Sequence, residues 1–145
     1  MTAATTAVAV DGLSPADAAL VQAAWAARAG AQCAYSGFAV GAALRTAAGT
    51  VHTGANVENA SYTLGCCAER VAIFHALTHG ARRFTHVVVA TDTARGTAPC
   101  GACRQILVEF APDAAVWLVT ARGVVERTTV RELLPRAFDA DALDR

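Results

Sequence analysis

The chain has 145 residues, enough for one domain that buries roughly 70% of the surface its unfolded chain would expose. Hydrophobic residues make up 54% and charged residues 17%, below the ~25% of an average soluble domain, so apolar surface is left over once a single core is packed. Burial of that excess between identical subunits is expected, which predicts a homo-oligomer. Twelve basic residues balance twelve acidic ones; all the basic residues are arginine and they are scattered, with Arg82-Arg83 the densest cluster. A partner with a phosphate backbone calls for a basic stripe, and its absence argues against nucleic acid. No apolar run reaches the ~18 residues of a bilayer span, and Met1 to Val10 lacks the basic start and apolar core of a secretory signal. The expectation is therefore a cytoplasmic protein with no membrane contact, a flexible tail over 1–12 and one domain over 13–145.

Ser14, Pro15 and Asp17 read as the cap, first-turn proline and capping-box acid of a helix, which Leu20, Val21, Ala24 and Trp25 continue at helical spacing until Gly30. Apolar runs from Phe38 to Leu44 and Val51 to Asn56 flank the turn Ala47-Ala48-Gly49, predicting an antiparallel hairpin. A helix is predicted from Cys67 to His79, with Val71, Phe74 and Leu77 on its apolar side. The run His86-Val87-Val88-Val89-Ala90 within 84–91 predicts a buried central strand, and 100–110 another helix. Strands over 115–120 and 124–129, joined at Arg122-Gly123, lead to a short helix from Val130 to Leu134 before Pro135. This order predicts an α/β fold in three layers, with helices on both faces of a mixed five-stranded sheet.

Five cysteines, two of them adjacent, make a poor disulfide framework and read first as metal ligands or redox groups. Three lie in Cys67-Ala68-Glu69 and Pro99-Cys100-Gly101-Ala102-Cys103, each at the start of a predicted helix. The i, i+3 spacing of Cys100 and Cys103 puts both sulfurs on one side of a first helical turn, where tetrahedral zinc can accept both. Cys67 supplies a third sulfur from the neighbouring helix. The positive ends of both helices favour thiolates, and three protein ligands leave one position for water, as at a catalytic zinc. A Cys-x-Glu followed by Pro-Cys-x-x-Cys is also the ligand signature of zinc deaminases, in which the glutamate handles protons and is not a ligand. Three thiolates on Zn²⁺ carry a net negative charge. Arg70, next to Glu69, is the first candidate to offset it by donating to sulfur, with Arg104 the second.

Two other readings use the same cysteines. A closed structural zinc site would need Cys66 or Cys33 as fourth ligand, although adjacent cysteines rarely face one ion. A thioredoxin-like pair at Cys100 and Cys103 would leave Cys67 and Glu69 without a task.

From about Ala31 to Phe138 the chain resembles the small homotetrameric cytidine deaminases. The matching stretches are Tyr35-Ser36-Gly37-Phe38-Ala39-Val40-Gly41-Ala42-Ala43, Gly54-Ala55-Asn56-Val57-Glu58-Asn59-Ala60-Ser61-Tyr62 and Cys67-Ala68-Glu69-Arg70. Pro99-Cys100-Gly101-Ala102-Cys103-Arg104-Gln105 and Leu133-Leu134-Pro135-Arg136-Ala137-Phe138 follow. The resemblance implies a cytidine deaminase-like fold, one zinc per chain on Cys67, Cys100 and Cys103, and Glu69 as the catalytic proton shuttle. It implies a nucleoside substrate whose ribose is gripped by Asn56 and Glu58, with Phe38 against the nucleoside. It further implies that Ala60 and Tyr62 reach the 5′-hydroxyl side of a neighbouring subunit's site, and that Phe138 stacks on the pyrimidine from another, in a tetramer with shared active sites. Cys66, where an aliphatic residue is common, and Thr63, where a turn former is common, are mild departures. The related deaminases of cytosine antibiotics such as blasticidin S share the zinc motifs but lack the Asn-x-Glu ribose grip.

Overall fold

The computed structural model describes residues 7–143. Helix α1 (Pro15–Ala27) begins at Ser14, whose hydroxyl accepts from the Asp17 amide at 3.2 Å. The Asp17 carboxylate is turned instead to Arg45, 2.8 Å away on the sheet, so it ties the helix to a strand. Strands β1 (Val40–Thr46) and β2 (Val51–Ala55) form the predicted hairpin. Helix α2 (Ala68–Thr78), strand β3 (Phe84–Thr91) and helix α3 (Gly101–Phe110) follow. Strands β4 (Ala115–Thr120) and β5 (Gly123–Thr129) and the short helix α4 (Val130–Leu133) complete the order. Among the described residues a reciprocal capping box stands at α4, where Thr129 and Glu132 satisfy each other's backbone amides.

The strands are ordered β2-β1-β3-β4-β5, with β3 and β4 parallel and the other neighbours antiparallel. The mixed five-stranded sheet is thus as expected, and so are the three layers. Strand alternation sorts the core in two. Ala42, Leu44, Val87, Val89, Val116 and Leu118 face α2 and α3. On the other face, Ala43, Val88, Ala90, Trp117 and Val119 meet Leu20, Val21, Ala24 and Trp25 of α1. Each fully buried Val or Leu contributes about 1.5–3 kcal/mol, so neither layer can be peeled off cheaply. Among the described residues no helix is long and apolar enough to cross a membrane.

Two expectations need correction. Of the tail predicted over 1–12, residues 1–6 lie outside the described residues; further on, Val8 is buried in the α1-side core at 3% exposure and Ala9 donates to the Ala121 carbonyl at 3.0 Å. An apolar side chain with a ready backbone acceptor beside it is more stable docked than in water. The apolar face of α2 also differs from the expected Val71, Phe74 and Leu77: Leu77 does pack against the core, but Ala68, Ala72, Ile73 and Ala76 form the buried face, Val71 is half-buried and Phe74 is exposed. The cause lies on β2. A Cβ on Gly54 would stand 2.5 Å from the Ala72 nitrogen and 2.8 Å from the Ala68 carbonyl oxygen. The glycine therefore lets the small alanine face of α2 lie on the strand, and the bulky Phe74 is left outside.

Because β1 is antiparallel to both β2 and β3, the C-terminal ends of β2 and β3 lie at one edge of the sheet. The segments leaving these two ends carry Asn56, Glu58 and Cys67 in one case and Cys100 in the other. Crevices beyond the carboxyl ends of strands are where open α/β sheets place their ligands.

Candidate active site

Cys67 is the residue at which α2 begins and Cys100 the residue at which α3 begins, both with extended backbone, and Cys103 lies buried in the first turn of α3. All three sulfurs lie within 4.8 Å of one another, with Cys67 Sγ and Cys100 Sγ 3.7 Å apart. Two anchors hold this geometry. The amides and carbonyls of Val57 and Cys66 exchange two 2.9 Å hydrogen bonds, which pin the loop entering α2 to the end of β2. Arg104 donates to the carbonyls of Pro99 at 2.8 Å and Leu133 at 3.0 Å, fixing the approach to α3. Arg104 thus acts on backbone, which corrects its reading as a second candidate for balancing sulfur charge.

Arg70 takes the expected place: its Nη2 donates to Cys67 Sγ at 3.6 Å. Its Nε is buried without a partner. The hydrogen bond to Cys67 keeps the guanidinium firmly charged. The Cys103 thiol, then Arg70 and Cys100, donate to Cys67 and bring its thiol down to about 5, while Cys103 is held up as the donor of that pair. A thiolate at neutral pH is the liganding form. Glu69, 5% exposed, points inward from the same first turn of α2. Burial chiefly pushes its carboxyl up to about 7, with the Cys67 charge adding to the effect. A carboxyl of this kind takes up and releases a proton near neutrality.

The donor set suits zinc. Three sulfurs converge, one already biased to thiolate and backed by a guanidinium, and among the described residues no fourth Cys, His, Asp or Glu joins the group. Cys33 and Cys66 stay outside it, so the closed four-ligand site has no fourth member here. A dithiol redox pair does not account for the third converging sulfur.

The sugar-gripping candidates are brought together at the end of β2. Glu58 accepts from the amides of Tyr35 at 3.0 Å and Ser36 at 3.1 Å and from the Ser36 hydroxyl. Asn56 Oδ1 accepts from the Val40 amide at 2.8 Å, and its Nδ2 donates to the Phe38 carbonyl at 2.8 Å. One N–H of Asn56 remains free of these bonds. Tyr35, Ser36, Glu58, Asn59, Tyr62 and Gly65 line a groove of about 370 Å³. Phe38, Ala60, Tyr62 and Phe138 are all exposed, Tyr62 at 79% and Phe138 at 60%; Gln105 holds the Phe138 carbonyl at 2.7 Å. Ser36, Gly54 and Gln105 went without a role in the sequence, although each stands inside a motif stretch. Contacts of this kind, between segments distant in sequence, leave no spacing signal.

Zinc deaminases are the class of protein that sets a non-ligand glutamate beside this kind of donor group. The family model described as the cytidine and deoxycytidylate deaminase zinc-binding region matches residues 14–119, and the chain belongs to that family. It is 48% identical over 126 residues to a cytidine deaminase of Halalkalibacterium halodurans, covering 86% of this chain and 96% of that one. A cytidine deaminase of Sporosarcina psychrophila is 46% identical over 110 residues, 75% of this chain and 81% of its own. A crystal structure of cytidine deaminase from Burkholderia pseudomallei superposes with a TM-score of 0.79 at 48% identity, covering 83% of this chain and 97% of that chain.

Proposed function

We propose that this chain hydrolyses cytidine and deoxycytidine to uridine and deoxyuridine, releasing ammonia, and serves pyrimidine salvage in the cytoplasm. The observation that carries the reading is the convergence of Cys67, Cys100 and Cys103 beside the buried Glu69. One zinc per chain would be held by the three sulfurs. When bound, it supplies Lewis acidity, which makes water a competent nucleophile near neutral pH. Glu69 takes a proton from the attacking water and delivers it to N3 of the cytosine ring as oxygen bonds to C4. Glu69 then carries the second proton to the exocyclic amine, the C4–N bond breaks, and ammonia leaves.

Asn56 and Glu58 hold the ribose, chiefly its 3′-hydroxyl, and Phe38 lies against the nucleoside. The remaining contacts come from other subunits of a homotetramer: Ala60 and Tyr62 toward the 5′-hydroxyl, and Phe138 stacked on the pyrimidine. The exposure of Tyr62, Leu64, Phe74 and Phe138 in a single chain supports this assembly, since aromatic and aliphatic groups of that size favour burial. Arg70 offsets the negative charge of three thiolates. Arg70→Ala is expected to lower zinc content and to slow turnover about 10- to 100-fold, the usual range for groups that support metal ligands. Wild-type zinc content and rate in that variant would remove the role.

The reaction is tested by the fall in ultraviolet absorbance when purified protein meets cytidine, before and after prolonged chelation. Chelator-sensitive loss of the cytosine spectrum with release of ammonia is the expected result. Turnover of blasticidin S but not of cytidine or deoxycytidine would move the substrate to an antibiotic. A zinc-loaded protein inert toward all three would leave the metal structural.

A further inference from the structure

Ser36 lies in a strap that crosses the end of β2, where Gln32 N donates to the Asn56 carbonyl at 2.9 Å and Glu58 N donates to the Gln32 carbonyl at 2.8 Å. A serine hydroxyl has one proton and two acceptor sites. The Ser36 proton goes to Glu58 Oε1, and the Phe38 amide donates to Ser36 Oγ at 3.0 Å. Gly37, with φ +68°, makes the sharp turn that brings Phe38 N back over Ser36. Glu58 Oε2 is occupied by the Tyr35 and Ser36 amides. An ionised carboxylate has about four acceptor sites. The strap fills three of them and leaves one. The Ser36 hydroxyl is also the largest influence holding the Glu58 carboxyl below the usual range, ahead of the two strap amides.

We propose that Ser36 is a positioning residue for sugar recognition: its hydroxyl fixes the Glu58 carboxylate so that the single remaining acceptor site meets a sugar hydroxyl. The inference rests on the reading of Glu58 as a sugar ligand.

The test compares cytidine with 2′,3′-dideoxycytidine, which lacks both ring hydroxyls, as substrates or, where turnover is slow, as competitors. Ser36→Ala, Ser36→Thr and Glu58→Ala are measured beside the wild type, each with its zinc content. Ser36→Ala is expected to weaken kcat/KM for cytidine about 10-fold, mainly through KM, and the dideoxynucleoside less than about 2-fold, as loss of a charge-assisted hydrogen bond would do. Ser36→Thr, which keeps the hydroxyl, stays within about 3-fold of wild type on both. Equal losses on the two nucleosides, or no loss on either, overturn the proposal. If Glu58→Ala also weakens both nucleosides equally, the sugar reading of Glu58 falls and takes the inference with it. If Glu58→Ala acts only through the sugar while Ser36→Ala does not, Ser36 alone is excluded.

Discussion

Glu69→Gln is expected to abolish turnover of cytidine by roughly 10³-fold or more while leaving zinc content, fold and oligomeric state unchanged. The substitution keeps the size of a side chain that is 5% exposed, so packing in the first turn of α2 is preserved. It removes the carboxylate that the proposed reaction uses to accept a proton and give it back. Each such transfer is worth about 10²–10⁴-fold, and the proposed reaction needs Glu69 for two of them. Glutamine is not basic, and its amide cannot follow the shift that burial gives the Glu69 carboxyl, up to about 7. The measurement is kcat on cytidine with metal analysis on the same preparation. A variant that retained zinc and near-normal kcat would show that protons travel another way.

A second large effect comes from a residue with no functional atoms. Gly54→Ala would place a methyl group 2.5 Å from the Ala72 nitrogen and 2.8 Å from the Ala68 carbonyl oxygen. Both are helix backbone and cannot rotate aside, so α2 must move off β2 by about 1 Å to reach ordinary contact distance. The overpacking costs about 1–3 kcal/mol of stability. The same shift carries Cys67 and Glu69 away from Cys100 and Cys103, which are anchored separately through Arg104. A misplacement near 1 Å costs about 10²-fold in rate. Thermal unfolding, zinc content and kcat of the variant are all expected to fall together. Wild-type kcat with an unchanged melting temperature would mean that α2 is not seated by this contact.

The grouping of Cys67, Cys100 and Cys103 with Glu69 was legible from residue type and spacing. Ligand geometry is local: i, i+3 sulfurs on one helical turn converge whatever the rest of the fold does, and a Cys-x-Glu at a helix start sets a carboxylate beside the third sulfur. The edges of β3 and β4 were legible for a similar reason, since β-branched runs fully covered on both faces have sharp ends in sequence.

The face of α2 was not legible. Val71, Ile73, Phe74 and Leu77 surround that helix with apolar groups, so periodicity offers no single stripe. The choice falls to Gly54, a residue fourteen positions before Ala68, whose missing side chain admits only small neighbours. Val8 was hidden likewise, because the core it joins is built with α1 from sheet residues such as Val88, Trp117 and Val119, far along the chain. By itself, then, the sequence pointed to the sulfurs, to the carboxylate proposed as proton carrier and to the order of elements, because these are carried by residue type, local spacing and periodicity. Only the tertiary structure decided which helix face meets the sheet, that Arg104 holds backbone while Arg70 holds sulfur, and that Ser36 joins Glu58 to Phe38. Those depend on close approach between segments distant in sequence, and steric fit of that kind is a property of the packed chain.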